Sequence, residues 1–240
     1  MSLLLFFGVL LSLSLGRYSN DPSKVLNVLF SRLGANVNVD PAMESIIFNV
    51  RLPRILASVM IGAMLSLSGA VYQSVFRNPL VSPDLLGVSS GAAVGAAGAI
   101  LLGAGLITRQ LFAFIGGMTA VLITSLVPRI LRNRSNMMLV LSGIIVGGFL
   151  SSVLAIMKFV AEEQTELSSI VFWQMGSLSS ILGRELLAIF PIFLICSSLL
   201  LLLSWRINIL AFGDLEARTL GVNVRQVRSI VIICASLLTA

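Results

Sequence analysis

The sequence lacks histidine altogether and has few charges. Of its 240 residues none is histidine, two are cysteines and 11% are charged. Without histidine, the commonest general base and metal ligand is absent, which excludes every histidine-dependent enzyme. The two cysteines, Cys196 and Cys234, lie inside apolar runs, so we expect buried free thiols rather than a disulfide framework. The net charge of +6 comes with no basic cluster interleaved with aromatics, which argues against nucleic-acid binding.

Apolar residues dominate instead, at 57% of the chain and a mean hydropathy of +1.03. A soluble domain of this size could not bury so much apolar surface, so lipid is the expected solvent. Against the roughly 20 residues that a helical span needs, we predict an all-α, polytopic transmembrane helical bundle. The predicted spans are 3–15 (short), 55–76, 85–107, 110–131, 137–160 and 186–205. The final run, 229–240, is too short to cross a bilayer, and we interpret the chain as a piece that stops within a seventh helix.

Small residues are concentrated in the second and third predicted spans. Gly87, Gly91 and Gly95 follow one another at one-turn spacing. Helices in lipid pack by close approach through such residues, because no hydrophobic effect drives them together. The pattern therefore predicts a tightly packed bundle.

The predicted spans carry no Asp, Glu or Lys in their middle, and Lys158 lies near an end. Proton- and ion-coupled carriers generally use an ionisable group at depth, so a self-coupled secondary transporter or channel is the weaker alternative. A membrane-embedded enzyme is weaker still, because the serines have no base nearby. No phosphate-binding loop of the GxxxxGK[ST] type is present. Energy for uphill transport would have to come from another subunit.

The polar segment 206–228, RINILAFGDLEARTLGVNVRQVR, has helix signals. We predict that Asp214 caps a short helix through Leu220 and that Gly221 ends it. Asn223 and Gln226 resemble a capping box for a second short helix. The segment could be a solvated connector, but two capped helices favour a folded docking element. If it is cytoplasmic, eight basic residues lie on each side, and the bias becomes eight to three once the long first loop is left out.

Between residues 161 and 185, the apolar piece 170–175 is too short to span the bilayer. We predict a re-entrant or surface helix there. Trp173 is interpreted as an interfacial residue.

Three motifs together resemble one family. RLPRILASVMIGAMLSLSGAVYQSVFRNPLVSPDLLGVSSGA, FWQMGSLSS and GDLEARTLGVNVRQVR occur in this order and resemble the permease family of type II ABC importers, which take up ferric siderophores, haem, cobalamin and some oxyanions. The resemblance implies a ten-span permease in a bacterial or archaeal cytoplasmic membrane, here a single domain over 1–240 without its C-terminal spans. It implies two ATPase subunits that bind ATP and Mg²⁺, an extracytoplasmic binding protein, and a second permease copy or a related permease subunit, with no cofactor in this chain. An iron chelate is the expected substrate.

The resemblance also implies roles for individual residues. Arg51 and Arg54 would pair with glutamates of the binding protein, although arginines here could also reach lipid phosphates. The loop from Asp214 to Arg225 would dock on the ATPase. The Asn-Pro-Leu stretch would belong to a cytoplasmic gate, although Asn-Pro is also a plain turn signal. The ATPase-coupling residues are Asp214, Glu216, Ala217, Arg218, Leu220 and Gly221, and the gate residues are Asn78, Leu80, Ser135 and Asn136.

Overall fold

A computed structural model describes residues 2–14, 22–32, 40–132, 135–179, 181 and 183–240. These residues form α-helices and turns without a strand, which confirms the predicted all-α class. The helices in chain order are α1 Ser2–Ser14, α2 Pro22–Arg32, α3 Pro41–Ser45, α4 Leu52–Phe76, α5 Val88–Leu101, α6 Leu106–Ile130, α7 Asn136–Val160, α8 Ser168–Met175, α9 Gly183–Leu202, α10 Ser204–Phe212, α11 Asp214–Thr219 and α12 Val224–Thr239. Two π-helical turns, Ile46–Arg51 and Glu163–Leu167, precede α4 and α8.

Four helical stretches in the described part of the chain are long and apolar enough to cross a membrane. They are Pro41–Phe76, Leu106–Ile130, Met137–Val160 and Glu185–Leu202. They correspond to the predicted spans at 55–76, 110–131, 137–160 and 186–205. The protein is therefore a multi-pass membrane protein.

The predicted span 85–107 is wrong in extent, because α5 has only 14 residues. At 1.5 Å per residue it covers about 21 Å, less than the roughly 30 Å of a hydrocarbon core. Residues 77–87 form turns instead of helix. Asp84 Oδ1 accepts a hydrogen bond from the Ser89 amide at 2.8 Å and Gly87 has a φ of 75°, so the helix begins only after this glycine.

The helical backbone that contains α4 begins earlier than expected, at Pro41. Asp40 caps this start, its side chain accepting from the Ala42 amide at 3.0 Å. Pro53 therefore lies inside this helical backbone. A proline inside a helix cannot donate its backbone hydrogen bond and crowds the carbonyl four residues before. The π turn Ile46–Arg51 ends two residues before Pro53, and its wider spacing accommodates the proline ring.

The chain divides into two compact units, one of residues 1–62 and 177–191, the other of residues 63–176 and 192–240. The first unit has a small buried core in its described residues, drawn from α1, α2, the π turn and α4. Its members are Leu13, Val25, Val28, Ile47 and Ile55. The prediction of one permease domain over 1–240 stays a prediction.

In the second unit, α5 packs against α6 through glycines. A Cβ on Gly91 would lie 2.5 Å from the Gly116 carbonyl oxygen and 2.7 Å from Ala120 Cβ. Contacts this short do not occur in proteins, so the two backbones approach as closely as they do only because Gly91 has no side chain. The predicted packing role of the glycine stripe is confirmed at this position.

Buried hydroxyls join α4 to α12 in the same unit. Tyr72 and Ser236 share a hydrogen bond of 2.6 Å between their hydroxyl oxygens, and Ser68 Oγ donates to the Ala235 carbonyl at 3.0 Å. Cys196 of α9 and Cys234 of α12 are buried and free, as predicted.

The segment 161–185 includes α8, an eight-residue helix too short to span. Its Ile170 is buried. Trp173 packs beside Ala92, Ala96 and Ala113, so its indole is used in packing against α5 and α6.

Candidate functional site

Residues 204–223, which we call the knob, fold into α10, α11 and the turn before α12. Asp214 was predicted to cap α11, which is wrong: Gly213 precedes the helix and Asp214 is its first residue. The Asp214 carboxylate instead binds two arginines. Its Oδ1 accepts hydrogen bonds from Arg228 Nη2, at 2.8 Å, and from Arg77 Nη2. One carboxylate thus holds two guanidinium groups.

Arg77 ties the end of α4 to the knob. It follows α4 with a φ of 53°, and its Nε donates to the Leu210 carbonyl of α10 at 3.2 Å. The same side chain reaches Asp214 of α11. This role was not predictable from the sequence, because 137 residues separate the two partners and no local signal links them.

Gly221 ends α11 as predicted. It has a φ of 77°, its amide donates to the Arg218 carbonyl at 3.0 Å, and the Val222 amide donates to the Ala217 carbonyl at 2.9 Å. These two bonds form a Schellman motif, which satisfies the last carbonyls of the helix. The apolar contact expected of the motif is present, because Val222 and Ala217 are buried in one core cluster. The turn therefore has a defined backbone conformation.

Asn223 caps the next helix, its Oδ1 accepting from the Gln226 amide at 3.2 Å. The cap is confirmed, but the prediction of a second short helix is wrong, since α12 runs on to Thr239. The physical reason is the apolar pattern. Val224, Val227 and Val231 lie on one helical face and are buried, and nothing after them breaks the helix.

The outer surface of the knob combines apolar and charged side chains. Phe212, Leu215 and Leu220 are 79%, 76% and 60% exposed, and Glu216 and Arg218 beside them are also exposed. Ala217 is completely buried and anchors α11 to the core. Large exposed apolar side chains next to charges are typical of a docking surface. Phe212 and Leu215 are not among the predicted site residues, because hydrophobicity alone does not distinguish them from buried residues.

The two arginines predicted to bind a partner, Arg51 and Arg54, are half-buried in the first unit. Arg51 Nη1 donates to the Leu13 carbonyl at 2.5 Å, and Arg54 Nη2 donates to the Ser179 carbonyl. Both guanidinium groups therefore also hold the backbone of their own unit. Their role in docking stays a prediction.

The predicted gate residues occupy turns and a helix start. Asn78 Oδ1 accepts from the Leu80 amide at 3.0 Å, which is the turn that Asn-Pro indicates, and the Leu80 side chain is exposed. Ser135 caps α7, accepting from the Met138 amide at 3.1 Å. Asn136 is the first residue of α7, and its side chain lies outside the described residues. Ser135 lines a cavity with Asp214 and Arg218, and Asn78 and Leu80 are not among its lining residues. The gate stays a prediction.

The described part of the chain holds no group of three or more Cys, Asp or Glu side chains that could bind a metal.

Comparisons with known proteins agree on one relationship. Residues 4–240 match the sequence profile of the FecCD transport family. The chain is 40% identical to the molybdate import system permease protein MolB of Haemophilus influenzae, over all of this chain and 71% of MolB. It is 35% identical to a vitamin B12 import system permease protein BtuC of Escherichia coli, over 80% of this chain and 59% of BtuC.

A relative from Helicobacter pylori that carries the name iron chelatin transport system permease protein is 40% identical over 83% of this chain. The present chain covers 60% of its length. A solved structure of an inward-facing transporter, assigned to the metal-chelate type of ABC transporter, superposes with a TM-score of 0.85 at 38% identity. The match covers 99% of this chain and 71% of the other. The chain belongs to the FecCD transport family, the permeases of type II ABC importers.

Proposed function

We propose that this chain is the membrane-spanning permease subunit of an ATP-driven importer. It acts in the cytoplasmic membrane of a bacterium or archaeon and does not hydrolyse ATP itself. Two separate ATPase subunits bind ATP and Mg²⁺, a second permease copy completes the path, and an extracytoplasmic binding protein delivers the substrate. This proposal extends the family assignment to partners outside the chain.

The knob carries the proposal. Its exposed Phe212, Leu215 and Leu220 offer an apolar contact for a partner. Its backbone is held by the Schellman turn at Gly221 and by the carboxylate of Asp214 between two arginines. A rigid surface loses little conformational entropy on docking, and it can transmit a displacement of the ATPase to the helices behind it. Arg77, which follows α4, is hydrogen-bonded to the knob, so α4 is the first helix that such a displacement would reach.

The substrate class is a metal-containing ligand. Our expectation remains an iron chelate, and the relative from Helicobacter pylori named for iron chelatin supports it. Molybdate is the second candidate, because the Haemophilus influenzae relative named for molybdate import matches over the whole of this chain. Uptake of radiolabelled ferric siderophore and of radiolabelled molybdate by cells expressing the transporter separates the two.

Co-purification with a co-expressed ABC ATPase subunit tests the docking role. Wild type is compared with Glu216→Arg, which reverses an exposed charge on α11, and Gly221→Pro, which cannot adopt the φ of 77° at that position. Glu163→Arg makes the same charge change at an exposed residue outside the knob. We expect wild type and Glu163→Arg to retain the ATPase and both knob variants to lose it. Equal retention by all four proteins, or retention by none, would overturn the proposal.

A further inference from the structure

Beside the knob lies a cavity of about 430 Å³ in the second unit, lined by residues of α6, α7, α11 and α12. Four arginines are among its lining residues, Arg129, Arg218, Arg225 and Arg228. The one acid among its lining residues is Asp214, whose carboxylate already accepts from Arg228 and Arg77. The cavity therefore has a strong excess of positive charge.

Apart from three serines, the remaining lining residues of the cavity are apolar, and they continue onto the outer face of two helices. Leu122 and Leu126 of α6 and Ile233 of α12 line it, and all three are exposed. Since α6 is long and apolar enough to cross a membrane, exposed leucines along it are expected to face lipid. Arg129, in the last turn of α6, marks the transition from this apolar face to the basic end.

This arrangement fits a ligand that has both an anionic group and an apolar chain. A free phosphate would need the arginines alone, whereas a phospholipid also needs an apolar surface that leads from the headgroup into the bilayer. Basic pockets between transmembrane helices on the cytoplasmic side are known to hold anionic headgroups. Arginine pairs with phosphate through two parallel hydrogen bonds, which favours it over lysine at such a site.

We propose that this cavity binds an anionic phospholipid, with its phosphate between Arg129 and Arg225 and its acyl chain along Leu122, Leu126 and Ile233. The site adjoins the outer surface of the knob, because Arg218 belongs to both. Because α11 and α12 both line the cavity, a bound lipid would brace the knob against α6.

Native mass spectrometry of the delipidated 240-residue chain in detergent tests the proposal. The chain is titrated with phosphatidylglycerol and, in parallel, with phosphatidylcholine of the same acyl chains. We expect phosphatidylglycerol to bind about tenfold more tightly, because each arginine near a headgroup contributes to anionic lipid binding. The double variant Arg129→Gln with Arg225→Gln should bind both lipids equally.

The matched control is Arg109→Gln with Arg206→Gln, which removes the same charge at residues that do not line the cavity. It should keep the preference for phosphatidylglycerol. Circular dichroism confirms that each variant retains its helix content. Equal binding of both lipids by wild type would overturn the proposal, as would an unchanged preference in the cavity variant. Complete displacement of phosphatidylglycerol by millimolar sodium phosphate would also overturn it, since the site would then hold a free anion.

Discussion

Arg228 Nη2 lies 2.8 Å from Asp214 Oδ1, and this contact joins the first turn of α11 to the second turn of α12, fourteen residues further along the chain. Arg77 approaches the same carboxylate oxygen from the end of α4. One acidic side chain thus links α11 both to α12 and to the residue that follows α4. Because Asp214 is 40% exposed, solvent screens both pairs, and their combined contribution to global stability is expected to be about 1 kcal/mol or less.

Asp214→Asn should therefore loosen the knob without unfolding the protein. The amide carries no charge to hold either guanidinium group, so α11 opens more often. Limited trypsin digestion should cleave after the exposed Arg218 about fivefold faster, which corresponds to roughly 1 kcal/mol of local stability. Glu163→Gln, an equivalent neutralisation outside the knob, should leave the cleavage rate unchanged. Equal rates in the two variants would show that Asp214 does not hold the knob.

Gly91→Ala should destabilise the packing of α5 on α6. The added methyl group would lie 2.5 Å from the Gly116 carbonyl oxygen, so the helices must separate, at a cost of about 1–3 kcal/mol. Thermal unfolding in detergent should occur several degrees lower, at about 2–4 °C per kcal/mol. Gly148→Ala is the matched control, because a Cβ there meets nothing within 4 Å. A melting temperature unchanged by Gly91→Ala would contradict the observed helix approach.

Tyr72→Phe should remove the buried hydrogen bond to Ser236, whose oxygen lies 2.6 Å from the phenol. Hydrogen bonds between transmembrane helices contribute about 0.6 kcal/mol on average. A double-mutant cycle with Ser236→Ala, measured by unfolding in mixed micelles, should therefore give a coupling free energy of about 0.5–1.5 kcal/mol. Additive effects of the two substitutions would mean that the hydroxyls do not interact in the folded protein.

Arg51→Gln with Arg54→Gln should weaken capture of the substrate-binding protein, if these arginines pair with its glutamates. Loss of two charge-assisted contacts should reduce affinity by tenfold or more and make it less sensitive to salt. Surface plasmon resonance on nanodisc-embedded transporter at low and high salt measures both. Arg109→Gln, with its guanidinium hydrogen-bonded to the Ala104 carbonyl, is the control. Unchanged affinity in the double variant would mean that Arg51 and Arg54 do not contact the binding protein and only stabilise their own unit.

Local signals in the sequence predicted local structure well. Gly221 and Asn223 each act on backbone groups within a few residues, so the end of α11 and the start of α12 could be located from the sequence. The extent of α5 could not be predicted, because residues 85–107 are predominantly apolar. Hydropathy alone does not reveal the turn that Asp84 and Gly87 form at their start.

Long-range contacts were not predictable from one sequence. Nothing in the sequence near Arg77 indicates that it binds a carboxylate 137 residues away. The cap predicted at Asp214 rests on a local signal, because aspartate at a helix start is ordinarily a cap. The arginines that bind its carboxylate lie 14 and 137 residues away.

The most direct test of the account is site-specific photo-crosslinking between this chain and the ATPase subunit in native membranes. Benzoyl-phenylalanine is introduced in place of Glu216 on the knob, and in place of Glu163 as the exposed control. We predict an ATPase adduct from position 216, identified by mass spectrometry, and none from position 163. Absence of an adduct at 216, or an equal yield at 163, would contradict the claim that the knob is the surface through which ATP hydrolysis is coupled to transport.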